Sequence, residues 1–361
     1  MASGPRVAVL GAGPGGLATA ARLAKSGLDV ALFNRSAETL REVVDRGGIE
    51  IEGSLGEGLV PLSVVTADAS TALRGRDLFF IAVPAYGQMP LLRSALPYLD
   101  GRSAVVFLTG SCASLEAVAV LAERGLDPAT DVLLGETVSL PQSGRMVGPA
   151  KVRIRIPTAS LRAAAFPGSR TPELLGQLEG ILSLKSTPNV LDPGINNPNF
   201  LIHPAPMLLN YAAVERAQGQ LSIMNEGMTP AVLRCLDAVD AEKRAIAIAY
   251  GLEPIAVDDL YREIGSTPDV YRKPGEPFGL KDRIWPRYVD EDVPYGTVLL
   301  SSLGALAGVP TPICDGINSI LSVAEGKDFW ASGRNARALG LEGMTVAQVR
   351  QYVATGTRAH N

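Results

Sequence analysis

Three observations in the 361-residue sequence predict an α/β chain, with a doubly wound parallel sheet in its first half and an all-helical second domain. The chain opens with a short apolar run, then Gly11-Ala-Gly-Pro-Gly-Gly16, then a helix of small residues. Short apolar runs bounded by turn residues recur as far as about Lys185, as the strands of a buried parallel sheet do. Beyond that point the strand signal fades and helical periodicity takes over. Two domains are therefore expected, residues 1–185 and 186–361.

The strands of the first half are expected at Arg6–Leu10, Asp29–Asn34, Asp77–Val83, Ser103–Thr109 and Asp131–Thr137. Lys151–Pro157 alternates charged and apolar residues, as a half-exposed strand does. Leu17–Lys25 reads as a helix that Gly27 ends. Strand, Gly-x-Gly-x-x-Gly, helix and strand within one unit form the dinucleotide-binding pattern of a Rossmann-type fold. Gly11 allows the tight turn, Gly13 lets backbone approach a pyrophosphate, and Gly16 lets the helix pack against the sheet. The helix N-terminus offers N–H groups to the phosphates.

The end of the second strand bears on which dinucleotide binds. An acidic residue there usually bonds the ribose 2′-hydroxyl of NAD(H). This chain has Asn34-Arg35-Ser36 instead, with no charge at Asn34 to repel a 2′-phosphate. Arg35 can pair with that phosphate and Ser36 can donate to it, so NADP(H) is expected over NAD(H). The turns at Pro84-Ala-Tyr-Gly87 and Gly110-Ser-Cys-Ala113 follow strands, so they are expected to border the nicotinamide. Pro84 is accordingly a cofactor-side candidate, and Tyr86 is either a pocket wall or packing.

Composition narrows the function classes. The chain is 47% hydrophobic and 19% charged with a net charge of −4, and no Lys/Arg run suggests nucleic acid or an anionic membrane. No apolar stretch reaches the roughly 20 residues of a transmembrane helix. The first residues show no signal-peptide pattern, and the three scattered cysteines suit reduced thiols, so a cytoplasmic location is expected. Cys112 reads as a buried small residue rather than a nucleophile, because no partner base is visible. No Cys/His cluster has metal-ligand spacing, so no structural metal is expected.

The helices of the second half are expected at Ala205–Gln218, Thr229–Tyr250, Val257–Ile264, Gly296–Ala307, Pro312–Val323 and Thr345–Val353. Their apolar surfaces are compatible with a homodimer. Only two histidines occur, and His360 sits in a polar tail. His203, before Pro204 and Pro206 at a helix start, is either a proton-transfer residue or a satisfied core histidine. The helix dipole there disfavours an imidazolium, so keeping His203 protonated needs a nearby carboxylate. Arg287-Tyr-Val-Asp-Glu-Asp-Val293 supplies three acids in a row, which read equally as a solvated helix start. Arg287 either binds a substrate carboxylate or pairs with these acids.

Taken together, Gly11–Gly16, Gly135-Glu-Thr137, Asn199-Phe-Leu-Ile-His-Pro-Ala-Pro-Met-Leu-Leu-Asn210, Arg287-Tyr288 with Glu291-Asp-Val293, and Leu339-Gly-Leu-Glu-Gly-Met-Thr345 resemble the opine dehydrogenase family, the octopine and nopaline dehydrogenase group. The resemblance implies a Rossmann-type doubly wound sheet followed by an all-helical second domain. It also implies joining an amino acid to an α-keto acid through an imine that NAD(P)H reduces. It implies His203 and Asp292, not Asp290, as the catalytic pair, Arg287 at a substrate carboxylate, and Glu136 near the amino substrate. The segment Arg272–Lys281 departs from the family's pattern. The alternative is a 2-keto acid reductase of the ketopantoate or 6-phosphogluconate reductase type. Those enzymes rely on a lysine early in the helical domain, where this chain has none between Lys185 and Lys243.

Overall fold

The computed structural model describes residues 4–157, 160–218, 220–273 and 285–358; most of the divergent 272–281 segment, and His360, lie outside the described residues. The chain divides into two compact units. One runs up to Gly194 and takes in Tyr352–Thr357; the other holds Ile195–Gln351.

Among its described residues the first unit has twelve strands: β1 Val7–Leu10, β2 Val30–Phe33, β3 Ile49–Gly53, β4 Gly58–Val60, β5 Val64–Thr66, β6 Leu78–Ile81, β7 Ala104–Leu108, β8 Leu133–Thr137, β9 Gln142–Gly148, β10 Lys151–Pro157, β11 Leu161–Phe166 and β12 Leu184–Ser186. Eight form one sheet in the order β12-β11-β8-β7-β6-β1-β2-β5, and only the β8–β11 pairing is antiparallel. Its inner strands are apolar on both faces because both faces are covered. Val7 and Val9 join one core cluster with Leu17 and Leu40, while Ala8 and Leu10 join another with Leu92 and Leu121. Strand order reverses between β1 and β6, the place where open α/β sheets bind ligands at the strands' carboxyl ends.

A second sheet, β4-β3-β10-β9, carries the charged strand foreseen at residues 151–157. Its alternating cations meet acids on the parallel neighbour: Lys151 Nζ lies 2.8 Å from Glu50 Oε1, and Arg153 Nε lies 2.5 Å from Glu52 Oε1. This sheet backs the helix Pro14–Lys25, and a Cβ at Gly144 would lie 2.7 Å from Ala18 Cβ. The end of the last helix, Val346–Thr355, returns to this unit, where Tyr352 meets Phe166 edge-on at 5.1 Å.

Helices are the regular elements of the second unit among its described residues, joined by turns and loops. Its main helices are Pro204–Ala217, Pro230–Ala249, Val298–Ala307 and Pro312–Glu325. The third starts later than the sequence suggests, because Val293–Thr297 forms a π turn ahead of it. Bare Gly296 in that turn lets the Phe200 ring approach; a Cβ there would sit 2.2 Å from it. Buried Thr297, Asn318 and Ser301 tie the turn to its neighbours, with Thr297 Oγ1 donating to Asn318 Oδ1 at 2.6 Å and Asn318 Nδ2 to Ser301 Oγ at 3.0 Å. No helix among the described residues is long and apolar enough to cross a membrane.

Candidate active site

The glycine loop occupies the turn from β1 into helix Pro14–Lys25. Gly11 has φ +117°, and a Cβ there would strike Val83 at 2.4 Å. A Cβ at Gly16 would lie 2.0 Å from the Gly11 carbonyl oxygen. At Gly13 a Cβ would meet nothing within 4 Å, so this backbone is open to a ligand. The helix starts at Gly13 with no side-chain cap, which leaves its first-turn N–H groups directed outward. These features fit a dinucleotide pyrophosphate.

Past β2, Asn34 Nδ2 donates to the Ser36 carbonyl at 3.2 Å, and Ser36 caps helix Ala37–Arg46 by accepting from the Thr39 N–H at 3.4 Å. The Ser36 hydroxyl keeps its proton for another acceptor. Arg35 is exposed and has no acidic partner among the described residues. Pro84 ends the turn after β6 and precedes helix Ala85–Ala95, which also lacks a side-chain cap, while Tyr86 is exposed.

The turn after β7 is unusual. Thr109, Ser111 and Cys112 all have positive φ, at 70°, 55° and 64°, a conformation that costs a non-glycine residue about 1 kcal/mol or more. Buried side chains hold it there. Gln88 Nε2 donates to the Thr109 carbonyl at 2.9 Å, and the Glu136 carboxylate accepts from the Cys112 and Ser114 N–H groups, both at 2.9 Å. Glu136 is fully buried, and both its oxygens serve the start of helix Ala113–Ala122. The Glu136 carboxylate, expected near the amino substrate, is engaged in shaping this turn. Cys112 is fully buried, in keeping with an inert thiol.

In the second unit, His203 separates the short helix Asn199–Ile202 from Pro204–Ala217. Its N–H donates to the Asn199 carbonyl at 3.0 Å, and its carbonyl accepts from the Met207 N–H at 2.8 Å. Pro204 takes the first helical position, where a missing N–H costs little. The ring is 7% exposed, so its bonds are made in a largely water-free site. Nδ1 lies 2.8 Å from Asp292 Oδ2, and Asp292 is only 1% exposed. A carboxylate only accepts, so Nδ1 carries the proton shared with Asp292.

The three consecutive acids have three different partners, because Asp290 ends the helix Trp285–Asp290 and Glu291 and Asp292 lie in the turn that follows it. Asp290 pairs with Lys327 at 2.5 Å, Glu291 with Arg287 Nε at 2.7 Å, and Asp292 with His203. The Arg287–Glu291 contact is an ion pair without hydrogen-bond alignment, and the Arg287 side chain is 46% exposed. Tyr288, absent from the sequence-based site, lies flat on the His203 ring, with centroids 3.8 Å apart and planes 18° apart. Its place four residues before Asp292, one helical turn away on the same face, was the available signal. Lys243, the first lysine of this unit, is fully buried, 3.0 Å from Asp240 and donating to the Ile255 carbonyl. It is therefore committed to the core.

Residues 186–324 match the family model described as NAD/NADP octopine/nopaline dehydrogenase, alpha-helical domain, and residues 7–141 match that of ketopantoate reductase PanE/ApbA. The chain is 33% identical to an opine dehydrogenase of Arthrobacter sp. (strain 1C), over 96% of this chain and 98% of that one. The chain belongs to the opine dehydrogenase family. Opine dehydrogenase structures share its fold at lower identity. Octopine dehydrogenase solved with NADH and pyruvate matches at TM-score 0.75 and 20% identity, over 99% of both chains. NADP+-bound yersinopine dehydrogenase matches at TM-score 0.68 and 15% identity, over 97% of this chain and all of that one. As an opine dehydrogenase family member, the protein is a nicotinamide-dependent oxidoreductase, with a Rossmann-like unit followed by a helical one.

Proposed function

We propose that the protein condenses the amino group of an amino acid with an α-keto acid and reduces the resulting imine, with NADP(H) preferred. The observation that carries this reading is the buried 2.8 Å contact between His203 Nδ1 and Asp292. It gives the second unit one acid–base group with a fixed tautomer, as expelling water from a carbinolamine requires. As the imidazolium, His203 donates its Nε2 proton to the departing hydroxyl, which leaves as water; the neutral ring keeps its Nδ1 proton and regains one at Nε2 from solvent. Asp292 holds the Nδ1 proton and stabilises the imidazolium against the dipole of helix Pro204–Ala217.

Arg287 orients a substrate carboxylate. Its side chain is 46% exposed while its partner Glu291 is largely buried, so the guanidinium can reach a carboxylate from the solvent side. Gly11, Gly13 and Gly16 hold the pyrophosphate, Pro84 borders the cofactor, and Asn34, Arg35 and Ser36 receive the 2′-phosphate. Bound NADPH supplies the hydride. Octopine dehydrogenase, whose fold this chain shares, binds NADH with pyruvate in one structure and with L-arginine in another, which supports this substrate class.

The test crosses amino acids with pyruvate, 2-oxoglutarate, glyoxylate and oxaloacetate and follows NADPH oxidation. Oxidation that needs both substrates, with a product mass equal to their sum less water plus two hydrogens, is expected. Equal oxidation by a keto acid alone would favour a 2-keto acid reductase. The burial of Lys243 argues against that alternative.

A further inference from the structure

We propose that Tyr288 is a positioning residue for His203, holding the imidazole face so that the Asp292 bond and the ring orientation are kept together; this rests on the proposed role of His203 as the acid. One hydrogen bond fixes a ring at one point only. The imidazole can still rotate about χ2 or tip away from the carboxylate plane. A second constraint must come from the ring's face, and Tyr288 supplies it at 3.8 Å with an interplanar angle of 18°. Tyr288 and Asp292 stand one turn apart on the segment from Trp285 to Asp292, so a single backbone element delivers the face contact and the in-plane bond.

The surroundings keep both in place. Tyr288 is 5% exposed, and Val289 and Val293 beside it are fully buried. The Glu291 N–H donates to the Arg287 carbonyl at 3.0 Å and the Thr297 N–H to the Asp292 carbonyl at 3.1 Å, which fixes the backbone on both sides of the carboxylate. The stack also covers one face of the imidazole and shields it from water on that side. The stacked geometry points to the aromatic ring at position 288 as what holds the imidazole face.

The test uses the full chain in three forms: wild type, Y288F and Y288L. The protein has only two histidines, so nitrogen-15 NMR of the imidazoles gives two sets of signals, and H360Q assigns them. Wild type and Y288F are expected to show His203 as one tautomer, protonated at Nδ1. Y288L is expected to show exchange between tautomers. In steady-state assays Y288L should lose roughly three- to tenfold in kcat, the factor a stacked pair is worth, with the KM for NADPH unchanged. Y288F should stay within about twofold of wild type. Y288M repeats the measurement if the leucine variant does not fold. A folded Y288L or Y288M with the wild-type His203 signature and wild-type kcat would overturn the proposal. So would a Y288F as impaired as Y288L, since the hydroxyl would then carry the effect. The resting-state NMR reads Tyr288 independently of turnover, whereas full activity in H203A would sink only the catalytic reading.

Discussion

Replacing Asp292 by asparagine removes one charge from the 2.8 Å contact with His203 and changes almost no volume. The carboxylate is 1% exposed, so water cannot take over its role. For charge centres about 4 Å apart at an effective dielectric near 20, the Coulomb attraction to an imidazolium is about 4 kcal/mol, which sets a ceiling near 10³ in rate. Asparagine keeps one neutral hydrogen bond, so the expected loss is the difference between a charge-assisted and a neutral bond. That difference is about 1–2 kcal/mol, or roughly 5- to 30-fold in kcat. The amide can also turn its NH2 toward Nδ1 and select the wrong tautomer, which adds to the loss. The assay is NADPH oxidation at saturating amine and keto acid, with thermal unfolding as the fold control. D290N is the matched comparison: its carboxylate lies 2.5 Å from Lys327, so it should remain within about twofold of wild type. Wild-type kcat in D292N, or an equal loss in D290N, would refute the assignment of Asp292 as the partner of His203.

Three further outcomes follow from the geometry. R35D should lower the preference for NADPH over NADH by roughly 10- to 100-fold, the worth of a charge-assisted phosphate contact; an unchanged kcat/KM ratio would place the 2′-phosphate elsewhere. R287L should raise the KM of a carboxylate substrate by roughly tenfold or more and leave that of NADPH alone, so a loss confined to NADPH would exclude Arg287 from substrate binding. E136Q places an amide NH2 against one of the N–H groups of Cys112 and Ser114, and a buried donor left unpaired costs about 1–3 kcal/mol. Its urea midpoint should fall accordingly, whereas unchanged stability would mean the left-handed turn holds itself.

Local pattern made much of this molecule legible. Periodicity located β1, β2, β6, β7 and β8 and the long helices, since each element buries a face whose spacing is written in its own residues. The second sheet was half visible: Lys151–Pro157 read as a strand, but its partner β3 lies about a hundred residues away, and pairing between distant strands leaves no local mark. The π turn at Val293–Thr297 was equally hidden, because it depends on Phe200 pressing against Gly296.

The sequence by itself determined the fold class, the glycine loop and the residue types on which the candidate chemistry depends. A lone histidine before two prolines and a run of three acids are facts of composition and order. Which acid meets the histidine was decided only by tertiary structure in the physical sense, because the three carboxylates diverge where a helix ends in a turn and each takes the partner in its direction. The family pattern had named Asp292, and the geometry supplies the reason. Two further outcomes needed the packed chain. Glu136 turned inward to two backbone N–H groups, because a strained turn at Thr109–Cys112 requires an anchor. Tyr288 came to rest on His203, because the face of an imidazole is covered by whatever the neighbouring helix presents.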